Sequence, residues 1–384
     1  MRTALLVERF DARQGGAETY ATRLAGALLR AGHGVDVFCR REGEPLAGAK
    51  VHVLPVSELS RAGRIAGFAR ACAEAVGEAD FDVVLGIGRT LGQDVLRPPG
   101  GTVRAAREGT LRSLGNGVER SLRELTWKIS PAARTTLAIE REQFSQPHVH
   151  FIANSKMVAD DIRRDYAIAD ERIHIITTGV DTERFSPARC AQGRAAARKE
   201  LGLRDGQLAL ALLAHNLRLK GFRPLLKACE RLVRSGCDVR LLVAGAGTRE
   251  SDERGVANLS LGEHVSFLGA VPDSLKVYAA ADVVVHPTFY DPFSNVTLEA
   301  WACGLPVITT RFNGASELMT GELAEWVVAD VNDAEGLSER IGALADADRR
   351  RAVGDACRKL AEGHDVAGHC AQVVGLFEDV LGSV

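Results

Sequence analysis

Two carboxylates eight residues apart, Asp291 and Glu299, bracket the run Asp291-Pro-Phe-Ser-Asn-Val-Thr-Leu-Glu299. Ser294 has the side chain of a helix N-cap, so a helix is predicted to begin there, with Asp291 on the loop ahead of it and Glu299 about one turn in. Its opening turn, formed by Phe293, Ser294, Asn295, Val296 and Thr297, offers unpaired N–H groups and the positive end of the helix dipole, a seat for a diphosphate. Glu299 can then accept hydrogen bonds from two vicinal ribose hydroxyls, and Asp291 from the hydroxyls of a sugar. Spacing does not carry this reading alone. Acids fill 50 of 384 positions, so about six such pairs arise by chance, and a surface acid behind a capped helix fits the same spacing.

Further charged and glycine-rich segments fit the same chemistry. Lys220, ahead of Gly221 in a strand-to-helix turn, can reach a leaving diphosphate and offset its growing charge, with Arg218 beside it; a solvated loop pair is the alternative. Gly15-Gly16 permits close backbone approach to a phosphate or sugar, although a Gly-Gly pair is more often a plain turn. Gly245-Ala-Gly247 lacks the third glycine of a dinucleotide fingerprint, which argues against a nicotinamide site.

These residues need a scaffold of parallel strands and helices. Thr3–Val7, Val35–Cys39, Phe81–Leu85, Val149–Ala153 and Ile173–Ile176 read as buried strands, interrupted by stretches with helical apolar spacing and turn glycines. Ser155 is a predicted helix cap. A second series follows at Leu208–Leu213, Val239–Ala244, Val265–Leu268, Val283–His286 and Val307–Thr310, with helices at Pro224–Arg234 and Asn295–Cys303. The turn-rich segment from Thr178 to Pro187 marks the junction. The expected class is α/β: two doubly wound, Rossmann-like domains, residues 1–178 and 179–364, facing each other across a cleft. A final helix, 365–384, is free to pack back on the first domain.

A chain of 384 residues with 46% hydrophobic and 26% charged positions is a two-domain globular enzyme by composition, not a disordered or fibrous one. A formal charge of -2 gives no global attraction to nucleic acid. The eight cysteines are scattered without zinc or redox spacing, and the apolar start is too short for a signal peptide, so a reduced, cytoplasmic protein is expected. No Ser/His/Asp signature and no metal motif stands out; no metal or other cofactor is expected.

Across nearly its whole length the sequence resembles the family-4 retaining glycosyltransferases of GT-B fold, and most the lipopolysaccharide-core glucosyltransferase branch. The resemblance rests on Gly15-Gly16-Ala17-Glu18, Asn154-Ser155-Lys156, Gly179-Val-Asp181, Arg184-Phe-Ser-Pro187, Arg218-Leu-Lys220-Gly221, Ala281-Asp282, His286-Pro287 and the acidic motif with Gly304-Leu-Pro306. Two departures stand out: Asp291 replaces the family's first glutamate, and Ala214 stands where relatives carry a basic residue, for which Arg218 can substitute. The resemblance implies a nucleotide-sugar donor with its base near Gly245 and Val271. It also implies front-face substitution with retention, in which the leaving diphosphate helps accept the proton of the incoming hydroxyl. The leading expectation is glucose transfer from UDP-glucose to a cell-envelope saccharide or glycolipid such as a lipopolysaccharide core. GDP-mannose-dependent mannosyl transfer, sugar-nucleotide epimerisation and a non-catalytic nucleotide-sugar-binding subunit are the alternatives.

From Arg97 to Arg141 nine Lys or Arg stand against four Glu, with Leu111, Leu114, Leu122, Leu125 and Trp127 interleaved. Arg104, Arg107, Arg112, Arg120 and Arg123 are the candidates for contact with a phosphorylated lipid acceptor or an anionic membrane surface, against a plain solvated helix pair. In relatives this part of the first domain meets the inner leaflet, which implies peripheral contact there. Relatives also show a histidine just after the glycines of Pro98-Pro-Gly-Gly101; Val103 and Arg104 stand here instead.

Overall fold

A computed structural model describes residues 1–11 and 15–382. The chain divides into two compact units: Met1–Gly179 with Val366–Val384, and Val180–Asp365.

The first unit is built on a seven-stranded sheet, ordered β5-β3-β1-β6-β7-β8-β9. Its strands are β1 (Arg2–Val7), β3 (Gly34–Cys39), β5 (Lys50–Val53), β6 (Val83–Ile87), β7 (Val95–Arg97), β8 (His150–Ala153) and β9 (Ile173–Ile175), all parallel. Two short strands, β2 (Arg9–Phe10) and β4 (Arg41–Glu42), pair beyond its carboxyl edge. The helices are α1 (Gly16–Arg30), α2 (Arg61–Gly77), α3 (Val103–Arg112), α4 (Gly117–Ile129), α5 (Pro131–Ser145) and α6 (Lys156–Tyr166). Ser155 caps α6 by accepting from the Val158 amide at 3.2 Å. β1 and β6 are continuous apolar runs, as a sheet covered on both faces requires.

The second unit carries a six-stranded parallel sheet, β12-β11-β10-β13-β14-β15. The strands are β10 (Leu208–Leu213), β11 (Val239–Ala244), β12 (Val265–Gly269), β13 (Val283–His286), β14 (Val307–Thr310) and β15 (Val327–Val328). Around it lie α7 (Pro187–Glu200), α8 (Phe222–Arg234), α9 (Glu250–Asn258), α10 (Ser274–Ala280), α11 (Asn295–Ala302), α12 (Ala334–Ala343) and α13 (Ala347–Glu362). Its core fills both faces, with Trp301, Trp326 and Tyr278 almost wholly buried. At Asp282 a buried carboxylate ties α7 to the sheet: it meets Arg194 at 2.5 Å and Arg198 at 3.2 Å and takes the Ala209 amide at 2.8 Å.

The last helix, α14 (Val366–Gly382), returns to the first unit and packs on α1 through Cys370, Val373, Leu376 and Phe377. His369, at its start, is 6% exposed; its ring lies 2.7 Å from the Thr177 carbonyl and 3.2 Å from the Tyr20 hydroxyl. The Arg97 guanidinium stacks 3.7 Å from the Tyr20 ring centre and donates to Thr178 Oγ1. Burial pushes the Tyr20 hydroxyl up to about 12, and burial with the Arg97 charge pushes His369 down to about 4.

Two sequence expectations are corrected. The strand expected at Phe81–Leu85 runs Val83–Ile87; Phe81 precedes it and packs edge-on to Phe38. Leu114 is buried at 3%, not displayed with the exposed leucines. Arg112 is half-buried, with its Nε out of reach of solvent.

Candidate functional site

In both sheets the strand order reverses between neighbours, at β1/β6 in the first and β10/β13 in the second. Loops leaving such strands at their carboxyl ends diverge and open a crevice, the usual ligand position in open α/β sheets.

In the second unit the loop after β10 carries Arg218 and Lys220, and the loop after β13 carries Asp291. The two loops are stitched together: the Phe289 amide donates to the Leu219 carbonyl at 2.9 Å. Gly221 has φ +72°, and a Cβ there would strike the Pro287 carbonyl, so glycine is required for the loops to meet. Lys220 Nζ therefore reaches Asp291 Oδ2 at 2.5 Å, and His286 Nε2 approaches the same oxygen at 3.1 Å. Lys220 and Asp291 are about one sixth exposed and His286 almost wholly buried. Burial alone would raise the Asp291 carboxyl, but the Lys220 cation and the His286 hydrogen bond outweigh it and hold the group well below the carboxylate range. His286 is pushed down by burial, with Lys220 adding to the effect and Asp291 opposing it. The cluster is thus a carboxylate, an ammonium and a neutral imidazole. Arg218 lies half-buried on the same loop.

Beyond Asp291 the backbone is pinned by Asn313: the Asp291 amide donates to the Phe312 carbonyl at 2.8 Å, and Asn313 Oδ1 accepts from the Ser294 amide at 3.2 Å. Ser294 caps α11, accepting from the Thr297 amide at 3.3 Å. The side chains of Ser294, Thr297 and Phe293 are buried and build the turn, and the Ser294 and Thr297 amides are engaged within it. Among the described residues the first-turn amides of Asn295 and Val296 are the ones left open. Glu299 is held apart from Asp291: its Oε2 accepts from Tyr278 Oη at 3.0 Å and Ser274 Oγ at 3.3 Å, which fixes the carboxylate. Gly245, at φ +138°, and Gly247 let the loop after β11 lie against Ala214 and His215. Val271 is half-buried beyond β12. His286, Asn313 and Tyr278 were not singled out as site residues from sequence; of these only His286 had a visible signal, its place in the His-Pro motif.

In the first unit Gly15, extended at φ 173°, precedes α1, whose first amides include that of Gly16; the Thr19 amide donates to the Gly15 carbonyl at 2.9 Å. Farther along, α3, α4 and α5 frame a cavity of about 570 Å³ lined by Arg104, Arg107, Lys128, Arg134, Arg141 and Trp127, among others. Arg104 is paired with Glu108 at 2.9 Å, and Arg107 stacks on Trp127 at 5.2 Å. Arg120 and Arg123 lie exposed on α4, a helix without a single buried residue. Val118, Leu122, Leu125 and Ile129 are 53% to 70% exposed. Their spacing places all four on one stripe of α4. Among the described residues no three His, Cys, Asp or Glu gather as metal ligands, and no helix is long and apolar enough to cross a membrane.

Two parallel-sheet α/β units of this kind define the GT-B class. Crystal structures of that class align over the whole chain: WaaG, a glycosyltransferase involved in lipopolysaccharide biosynthesis, has a TM-score of 0.79 at 22% identity, covering 98% of this chain and 99% of that one. Anabaena HepE in complex with UDP and glucose has 0.72 at 18%, covering 98% and 99%. The profile of glycosyltransferase family 4 matches residues 14–99 and 122–184, and that of glycosyl transferases group 1 matches 208–347. The chain thus carries a glycosyltransferase family 4 segment followed by a glycosyl transferases group 1 segment, the make-up of a GT-B glycosyltransferase. The D-inositol 3-phosphate glycosyltransferase of Segniliparus rotundus is 32% identical over 212 residues, 53% of this chain and 46% of its own length. The GDP-mannose-dependent monoacylated alpha-(1-6)-phosphatidylinositol monomannoside mannosyltransferase of Corynebacterium glutamicum is 34% identical over 197 residues, 49% and 51%. The chain spans about half the length of these curated relatives.

Proposed function

We propose that the protein transfers a hexose from a nucleotide-diphosphate donor to a cell-envelope saccharide or glycolipid with retention of configuration, and that UDP-glucose is the donor. The observation that carries this reading is the Lys220–Asp291 contact at the β10/β13 switch point, beside the open amides of α11. A diphosphate arriving at those amides meets Lys220, with Arg218 on the same loop, as counter-charge for the leaving group, in the role a divalent ion would otherwise fill. Asp291, released from Lys220, accepts from hydroxyls of the sugar, and Glu299, already oriented by Tyr278 and Ser274, accepts from the ribose. Gly245 and Val271 border the base. The departing diphosphate oxygen takes the proton of the incoming hydroxyl on the same face, so no protein nucleophile is required.

UDP in HepE supports a uridine donor. The Corynebacterium relative supports a second reading, transfer of mannose from GDP-mannose. The bare apolar stripe of α4, with exposed Arg120 and Arg123 on the same helix, supports peripheral contact with the anionic inner face of the cell membrane, where a lipid-borne acceptor would be met. Calorimetric titration with UDP-glucose, UDP and GDP-mannose, chelator present, tests the donor. Selective uridine binding is expected, weakened in Glu299→Ala by about 1.5 to 3 kcal/mol for the lost charged acceptor. Guanosine preference establishes the mannosyl reading, and absence of any nucleotide binding removes the proposal.

A further inference from the structure

The first sheet has its own switch point, at β1/β6, and the loop that leaves β6 there carries Arg89 just after Gly88. Its loop is held rigid. Gly88 turns with φ +101°, and the buried Gln143 amide donates to both the Gly88 and the Thr90 carbonyls at 2.8 Å, clamping the backbone on either side of Arg89. Thr90 is itself fixed by a 3.0 Å bond to Gln93. Arg89 and Glu140 line a cavity of about 130 Å³ floored by the Pro98-Pro-Gly-Gly101 loop that leaves β7.

Among the described residues no carboxylate lies within ion-pair distance of Arg89, although Glu8 and Glu140 are near enough to act on it electrostatically. Both acids are already engaged. Glu8 pairs with Arg40 at 3.3 Å and approaches Arg64 at 3.8 Å, while Glu140 accepts from the Val103 amide and from Tyr166. Arg61 lies near as well and opposes the acids' effect. The carboxyl ends of β1, β3 and β6 therefore gather Arg40, Arg61, Arg64 and Arg89 with no acid left over for the last. A guanidinium presented by a clamped turn, lining a cavity and lacking an acid of its own, is built to bind an anion from outside the chain.

Resting on the proposed transfer reaction, we infer that Arg89 selects acceptors bearing a phosphate, which it binds beside the accepting sugar. The planar fork matches two phosphate oxygens, and the clamped backbone fixes the point from which the exposed side chain reaches out. A neutral acceptor leaves this cation unused.

The test uses the full chain with its preferred nucleotide diphosphate saturating, so that the donor's phosphate seat is filled, and titrates glucose 6-phosphate, glucose, and vesicles of phosphatidylinositol in phosphatidylcholine. Glucose 6-phosphate or the phosphatidylinositol vesicles should bind at least tenfold more tightly than glucose or plain phosphatidylcholine; which of the two binds tells a free sugar phosphate from a lipid headgroup. Arg89→Gln should abolish that preference, Arg89→Lys should keep part of it, and nucleotide affinity should not change in either. Equal binding of charged and neutral probes by the wild type, or a preference untouched by Arg89→Gln, overturns the inference while leaving the transfer reaction standing. Loss of nucleotide binding by the wild type itself would instead strike the proposed reaction.

Discussion

Replacing Lys220 by Met keeps the length of the side chain and deletes its charge. Asp291 then loses a partner at 2.5 Å and, among the described residues, its side chain retains His286 at 3.1 Å, in a site where the carboxylate is about one sixth exposed. Breaking a buried pair from one side costs about 3 to 5 kcal/mol, and the residual exposure places this one near 3. For a unit of this size that lowers Tm by about 6 to 12 °C. The sign of the pH dependence follows. Asp291 has a depressed pKa in the fold, so its contribution is present above the unfolded value of about 4 and is lost as pH falls through the folded one. Without Lys220 burial dominates, the carboxyl rises, and stability no longer falls as steeply below pH 4. Thermal denaturation of wild type, Lys220→Met and Lys220→Met/Asp291→Leu between pH 3 and 8 measures this. The double variant should recover much of the single variant's loss, because no uncompensated charge remains. A single variant within 2 °C of wild type, with an unchanged acid limb, refutes the reasoning.

Two further outcomes are expected. Leu122→Glu/Leu125→Glu, at exposed positions, should leave Tm within about 2 °C and sharply reduce binding to anionic vesicles; sedimentation with vesicles at two salt concentrations checks it, and undiminished binding removes α4 from the interface. His369, with a folded pKa near 4, is neutral in the fold and takes up a proton on unfolding below about pH 6.5. Its contribution is intact above that value and erodes by up to about 3 kcal/mol toward pH 4, and His369→Gln should flatten this limb of the denaturation profile.

The acidic motif was legible because its parts are local: Ser294 caps the helix it was expected to cap, and the strands that hold the loops are uninterrupted apolar runs. Less was visible where charge sits inside a strand or apolar side chains lie outside one. β7 went unread because Arg97 looks like a surface residue, while it is 4% exposed and lies against an aromatic face. β5 is an edge strand with little burial, so its pattern carries no periodic signal. Leu114 and Leu122 are the same residue type eight positions apart, yet one is buried and the other not, because α4 has no neighbour over its apolar stripe. The pairing of Lys220 with Asp291 spans 71 residues and exists only through the stitching of two loops, which no spacing rule contains.

The return of α14 to the first unit has a consequence in time. Met1–Gly179 emerges from the ribosome first but must wait for Val366 onward before α1 is covered and His369 can meet Tyr20. At about 5 to 20 residues per second the intervening stretch takes roughly 10 to 40 s to make. Val180–Asp365, an unbroken run, can finish folding during that delay. The half made second is thus completed first, and the flank of α1 that α14 covers stays bare until α14 has been made.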